Sequence, residues 1–267
     1  MRAIILAGGK GTRLAPFTGV FPKPLMPVGN APILETIIRQ LAHHGFTDIV
    51  LSVGHLADLI ELYFGDGSRF GVELTYCEEL EPLGTAGPLA LVPPIGEPVL
   101  VMNADLLSSI DYGDLYRQHL KKRPALTIGL YPKEVKIDLG VLHVNGGEEV
   151  TDYVEKPTFS YRVSMGIYVM EPRTHEWIFR RGRRRFDLPD LVSLLITGAE
   201  RVDAYKFEGY WLDIGKPADY EIACVEFERL REHFVPPVPQ LIALSEARPT
   251  IRRRVPREIL VSRTAAV

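Results

Sequence analysis

The chain of 267 residues has only two cysteines, Cys77 and Cys224, both in apolar surroundings. Two thiols cannot build a disulfide framework, and they read as small core residues. Charge imbalance is also small: 31 basic against 34 acidic side chains leaves a net charge of −3. No overall field therefore draws nucleic acid to the surface. No apolar run approaches the ~20 residues that span a bilayer, so no membrane partner is read. No secretory leader is visible, because Met1-Arg2 runs straight into a strand-like segment, and the expected location is cytoplasmic. The seven histidines form no H-E-x-x-H pair and stand beside no Ser or Cys in a nucleophile motif. Zinc-protease and triad-hydrolase chemistry are thereby set aside. What remains is ordinary globular composition, long enough for one large α/β domain with a substantial core.

The informative stretch is the beginning. Ala3-Ile4-Ile5-Leu6-Ala7 has the length of a buried strand. Gly8, Gly9 and Gly11 follow, then Thr12 and Arg13, and then Lys23 between Pro22 and Pro24. A strand opening into a glycine turn presents backbone N–H groups to phosphate oxygens, and the Arg and Lys add positive charge. Neither common phosphate loop fits. A dinucleotide fingerprint begun at Gly9 meets Leu14 where it needs glycine. Lys10 is followed by Gly11, where a Walker loop needs Ser or Thr. The stretch reads as a nucleoside-triphosphate site of a third kind.

Strands and helices then alternate. Pro32 to His44 has helical spacing, with Pro32 in the first turn and Gly45 as the stop; Asp48 to Val53 is a second buried strand. His55 to Phe64 reads as a helix, Val72 to Tyr76 as a third strand, and Thr85 as the cap of a helix through Leu91. Pro98 to Met102 is another strand, and Asp105 lies just past it, well placed for Mg²⁺, which takes one or two carboxylates plus phosphates and waters. Asp111 and Asp114 open a helix through Lys122, and Ala125 to Tyr131 is a further strand. Asn145-Gly146-Gly147 marks a hairpin between Gly140–Val144 and Val150–Val154. Asp187 caps a helix carrying Leu191, Leu194 and Leu195, and another helix runs from Lys216 to about Phe234. The alternation predicts a parallel, doubly wound sheet with its ligands beyond the carboxyl ends of the strands. Arg180, Arg181, Arg183, Arg184 and Arg185 form a basic cluster without interleaved aromatics, and it is read as surface rather than as a nucleic-acid or lipid site.

LAGGKGTRLAPFT followed by FPKPLMPVGNAPIL resembles the opening signature of the sugar-1-phosphate nucleotidylyltransferases, and Gly209-Tyr210-Trp211-Leu212-Asp213-Ile214-Gly215 resembles a second segment of that family. The wording around Glu79 to Leu89 is most like the GDP-mannose pyrophosphorylase type. The resemblance covers about residues 1–225. It implies one Rossmann-like, glycosyltransferase-A-like α/β domain, its central sheet mixed but mostly parallel and flanked by helices, with a small β-rich sugar-binding part. Residues 1–135 would serve mainly the nucleotide and 136–225 mainly the sugar phosphate. Residues 226–267 would hold a helix end and a Pro/Arg-rich tail, without the hexapeptide-repeat β-helix of larger relatives. For that tail three readings stay open: packing on the core, contact between subunits of a homo-oligomer, or partial disorder.

The same resemblance assigns residues. Leu6, Ala7, Gly8, Gly9, Gly11, Thr12, Arg13, Lys23, Glu79, Gly84, Thr85 and Asp105 would bind the nucleotide. Gly140, Glu155, Lys156 and Gly166 would bind the sugar phosphate, and Asp105 and Asp213 would hold Mg²⁺. A Glu79 carboxylate accepts hydrogen bonds and donates none; guanine offers it two adjacent donors, whereas uracil and thymine offer one. GTP and mannose 1-phosphate, or a related sugar or cyclitol phosphate, are therefore the favoured substrates. Arg13 would face the departing pyrophosphate, Lys23 the α-phosphate and Lys156 the incoming phosphate. The alternatives are a uridylyl-, thymidylyl- or cytidylyltransferase acting on glucose 1-phosphate, or a non-catalytic subunit that senses nucleotide sugars.

Overall fold

The apolar runs of the sequence become the inner strands of one sheet. A computed structural model describes residues 1–14, 17–93, 95–181 and 184–235. Arg183 and the tail from residue 236 lie outside the described residues. In chain order the elements are β1 (Arg2–Ala7), two short strands β2 (Pro27–Val28) and β3 (Ala31–Pro32), α1 (Ile33–His43), β4 (Asp48–Val53), α2 (Ala57–Phe64), β5 (Glu73–Glu78), β6 (Val99–Asn103), β7 (Leu106–Ser108) and α3 (Tyr112–Lys122). Then follow β8 (Leu126–Lys136), β9 (Val141–Val144), β10 (Val150–Val154), β11 (Thr158–Met170), α4 (Pro172–Phe179), α5 (Leu188–Thr197), β12 (Val202–Lys206), β13 (Trp211–Asp213), α6 (Pro217–Arg229) and α7 (Arg231–Phe234). No described helix is long and apolar enough to cross a membrane.

Seven strands form the sheet in the order β12-β8-β11-β6-β1-β4-β5. Only β11 is antiparallel to its neighbours; every other pairing is parallel. The sheet is thus mixed and mostly parallel. It is buried on both faces because alternate side chains of a strand point to opposite sides. Ala3, Ile5 and Ala7 of β1 pack with Leu34, Ile38 and Leu41 of α1 on one face, while Ile4 joins Val50, Val101, Leu191 and Leu195 on the other. A slip of one residue would exchange these two sets, so the register is firmly specified.

Chain direction puts the functional loops at one end. The chain goes from β1 outward to β4 and β5, then returns to place β6 on the opposite side of β1. The turns after β1 and β6 therefore diverge at a topological switch point, where open α/β sheets bind ligands. Strand β8 leaves the sheet at that same carboxyl end and β11 re-enters there. The connection between them, residues 137–157, contains the predicted hairpin β9–β10.

Several local expectations change. Pro32 is the N-cap of α1 rather than a residue of its first turn, because it pairs with Pro27 between β2 and β3. The helix through His55 starts at Ala57, since Leu56 has a left-handed backbone with φ 58°. Thr85 does not cap a helix of its own. Residues Gly87–Leu91 form a 3₁₀ segment capped by Ala86, and the Thr85 hydroxyl instead accepts the Leu188 N–H at 2.8 Å, at the start of α5. The last predicted helix is broken at Leu230 into α6 and α7, which lets Phe234 stack on Phe227 at 5.8 Å.

Tyr112, at the start of α3, is fully buried, and among the described residues nothing hydrogen-bonds its hydroxyl. An unpartnered buried hydroxyl costs ~1–3 kcal/mol. Tyr112→Phe should leave urea-denaturation stability unchanged or raise it, by up to about 1 kcal/mol, whereas Tyr112→Ala should lower it by ~3–5 kcal/mol.

Candidate functional site

The glycine turn after β1 is shaped by contacts that a side chain would prevent. Gly54, just past β4, lies so close that a Cβ on it would be 2.8 Å from the Gly8 carbonyl oxygen, and a Cβ on Gly8 would collide with the Glu79 carboxylate. Gly11 has φ 61°, and its carbonyl accepts both Leu14 N–H and Thr18 Oγ1 at 2.8 Å. Leu14 is buried and anchors the 3₁₀ turn Thr12–Leu14, so Arg13 projects outward from a fixed base. Lys23 opens a further 3₁₀ turn with buried Pro24 and Leu25, and Pro22 precedes it as N-cap.

Two remote aspartates meet in front of this turn. Ala104 N–H donates to the Leu6 carbonyl at 3.1 Å, which seats Asp105 beside the end of β1. Strand β13 pairs antiparallel with β7 so that Asp213 stands opposite Leu106, and Ile214 N–H donates to the Asp105 carbonyl at 3.0 Å. Lys23 Nζ makes an ion pair with Asp105 Oδ2. Asp105 Oδ1 is buried and accepts no hydrogen bond from the described residues. Burial first, and then the like charge of Asp105, hold the Asp213 carboxyl above its ordinary value; Lys23 and Arg13 pull it back down.

That chemistry fits a hard divalent cation. An orphaned carboxylate oxygen and a second carboxylate whose charge is disfavoured both gain from one. Among the described residues no group of three or more His, Cys, Asp or Glu could hold a metal alone. The remaining ligands would have to be phosphate oxygens and water, which suits Mg²⁺.

At the far side of the turn Glu79 is gripped twice. Ser52 Oγ donates to its Oε1 at 3.1 Å, and Leu83 N–H to its Oε2 at 3.2 Å. Burial raises the Glu79 carboxyl against the lowering effect of those two hydrogen bonds.

A cleft of about 720 Å³ joins these parts. Its wall includes Leu6, Ala7, Gly8, Gly9, Gly11, Thr12, Arg13, Lys23, Glu79, Gly84, Thr85 and Asp105, together with Asp213. Gly140, Glu155 and Lys156 are not in that wall. They belong to the exposed connection at the same end of the sheet, where Tyr153 OH donates to Glu155 Oε2 at 2.7 Å and covers Gly140. Lys156 has φ 48°, a conformation rare outside glycine. Gly166 sits at a bulge in β11 with φ 73°, and a Cβ there would be 2.8 Å from Nδ2 of Asn103, a cleft residue.

Sequence reasoning missed Ser52, Gly54, His55 and Asn103. Ser52 had a signal, as the one hydroxyl in the otherwise apolar interior of Asp48–Val53. Gly54-His55 and Asn103 had a weaker one, their position at carboxyl ends of core strands.

The raised Asp213 carboxyl has a consequence for stability. A carboxyl with a folded-state pKa above its unfolded value favours folding while protonated, and that contribution is lost as pH rises through the folded value. Asp213→Asn should therefore raise the melting temperature at pH 8, by no more than about 3 °C, and the gain should vanish toward pH 4; differential scanning calorimetry without divalent metal checks this.

The sequence matches the nucleotidyl transferase family over residues 2–229. It is 34% identical over 230 residues to a mannose-1-phosphate guanyltransferase of Yarrowia lipolytica, covering 82% of this chain and 62% of that one. It is 35% identical over 243 residues to the corresponding protein of Schizosaccharomyces pombe, covering 87% and 66%. A UTP–glucose-1-phosphate uridylyltransferase of Synechocystis is 33% identical, covering 82% and 61%. The chain thus spans slightly less than two thirds of the length of these relatives. The crystal structure of HddC from Yersinia pseudotuberculosis complexed with GMP-PN superposes with a TM-score of 0.63 at 26% identity, covering 85% of this chain and 99% of that one. Because the family match takes in the glycine turn, both aspartates and the strand pair that joins them, the chain belongs to the nucleotidyl transferase family.

Proposed function

We propose that the protein transfers a nucleotidyl group from a nucleoside triphosphate to a sugar 1-phosphate, with GTP and mannose 1-phosphate as the favoured pair. The observation that carries this reading is the cleft itself. One end gathers Arg13, Lys23, Asp105 and Asp213, suited to phosphates and a divalent cation, and the other presents the Glu79 carboxylate, suited to a base with two adjacent donors. The guanyltransferase relatives and HddC with its guanine-nucleotide ligand support the same base. The uridylyltransferase relative supports the main alternative, a uridylyl transfer to glucose 1-phosphate. A non-catalytic sensing subunit is disfavoured because Arg13, Lys23, Asp105, Lys156 and Asp213 are all present.

In this reading an oxygen of the sugar phosphate attacks the α-phosphorus, and the bond from that phosphorus to the β-phosphate bridging oxygen breaks. Pyrophosphate leaves with the electron pair. The second pKa of a phosphate monoester is ~6, so the nucleophile is already a dianion and needs no general base. Lys156 holds the incoming phosphate. Arg13 and the amides of the glycine turn draw off charge on the departing pyrophosphate. Lys23, paired with Asp105 in the free protein, turns to the α-phosphate. Asp105 and Asp213 would hold Mg²⁺, which when bound would supply positive charge between the two polyanions. Catalysis is then positioning and electrostatics. Residues 1–135 serve mainly the nucleotide and 136–225 mainly the acceptor. We place the enzyme in the cytoplasm, in keeping with two free thiols.

Asp105→Asn and Asp213→Asn should each lower kcat by ~100-fold or more in a pyrophosphate-release assay while keeping the native circular dichroism spectrum. Near-normal turnover at limiting Mg²⁺ in either variant removes the metal assignment. In a panel of triphosphates and sugar 1-phosphates the wild type should prefer GTP, and Glu79→Gln should narrow the GTP-to-UTP preference by ~10–100-fold. A wild-type preference for UTP would sink the guanine reading.

A further inference from the structure

The segment carrying the cleft's base-facing end is fastened to a helix start about a hundred residues later. Phe186 N–H donates to the Leu83 carbonyl at 2.9 Å, and Ala86 and Gly87 N–H both donate to the Phe186 carbonyl at 2.9 Å. Thr85 N–H donates to Asp187 Oδ1 at 2.9 Å, and the Thr85 hydroxyl donates to the same oxygen at 3.3 Å while accepting Leu188 N–H at 2.8 Å. Gly84, with φ 81°, passes so close that a Cβ on it would lie 2.6 Å from Asp187 Oδ1 and from the Phe186 carbonyl oxygen.

This zipper reaches the site through Leu83, whose N–H holds Glu79. Its other side is anchored in the core. Asp187 is the N-cap of α5, and Leu188, Leu191 and Leu195 of that helix are buried in the core. Asp187 does not line the cleft. Its Oδ1 serves the remote Thr85 rather than reaching the substrate.

We propose that Asp187 is a positioning residue for nucleobase selection. By holding Thr85 it fixes residues 79–85 where the Glu79 carboxylate meets the base. The inference rests on the assignment of Glu79 as the base acceptor. A segment ordered in advance spares the bound complex the entropy of ordering it, and a single segment position admits a single donor pattern. Loss of the latch should weaken triphosphate binding and blur the choice of base, with little effect on the chemical step.

The test is steady-state kinetics with GTP and UTP on the wild type, Asp187→Ala, Asp187→Asn and Glu79→Gln. Asp187→Ala should raise the KM for GTP ~10-fold and narrow the GTP-to-UTP ratio of kcat/KM, with kcat at saturation and the KM for sugar 1-phosphate within about twofold of wild type. Asp187→Asn, which keeps the Oδ1 acceptor, should restore both values. An unchanged base ratio in Asp187→Ala beside a changed one in Glu79→Gln overturns the inference and leaves the base reading standing. An unchanged ratio in Glu79→Gln overturns the base reading, and the inference with it. Should Asp187→Ala fail to fold, hydrogen exchange on the wild type decides: GTP should slow exchange at Thr85 to Gly87 and at Leu188 together, and slowing confined to Thr85–Gly87 overturns the inference.

Discussion

Three residues of antiparallel pairing, Trp211–Asp213 against Leu106–Ser108, decide whether this molecule has a site at all. They carry Asp213 from a late part of the chain to the side of Asp105. The pairing buries Asp213 beside a like charge, and burial first and the charge of Asp105 second hold its carboxyl above the ordinary value. The opposing charges come from a third segment, the loop after the first strand, as Arg13 and Lys23. No one of the three segments makes a balanced charge arrangement alone; together they set two basic side chains against two acidic ones and leave Asp105 Oδ1 without a hydrogen bond from the described residues.

A second constraint is steric. Gly54 packs on the Gly8 backbone and Gly8 on the Glu79 carboxylate, so the glycine turn and the Glu79 end of the cleft abut with no room for a side chain on either glycine. In the proposed reading, the packing of three strand ends thereby sets the separation between base and phosphates. Ser52, within β4, clamps Glu79 from below and extends this rigidity into the core.

The cleft wall was legible in the sequence because its signals are local. An apolar run ending in clustered glycines is a strand and its turn whatever surrounds it, and each residue assigned to the nucleotide lines the cleft. What was not legible depends on tertiary partners. Thr85 reads locally as the cap of its own helix, but Leu188, far off in sequence, takes its hydroxyl. Nothing near Lys23 announces Asp105. The strands β8 and β11 run beyond their apolar cores because Phe159, Tyr161 and Val163 find Val135, Lys133 and Tyr131 opposite them, a pairing that no single segment reveals. The break at Leu230 goes with the stacking of Phe234 on Phe227, again a contact made only in the fold.

Strands β8 and β11 are adjacent in the sheet, and the segment proposed to bind the acceptor is strung between their projecting ends. The chain departs and returns through neighbouring strands, so this segment can lengthen, shorten or change its side chains without moving any strand of the sheet. In the proposed reading, the acceptor contacts of Gly140, Glu155 and Lys156 therefore sit on a part of the chain separate from the strand ends that line the cleft. On that reading, a lineage could try new acceptors by changing this segment while the cleft stays intact.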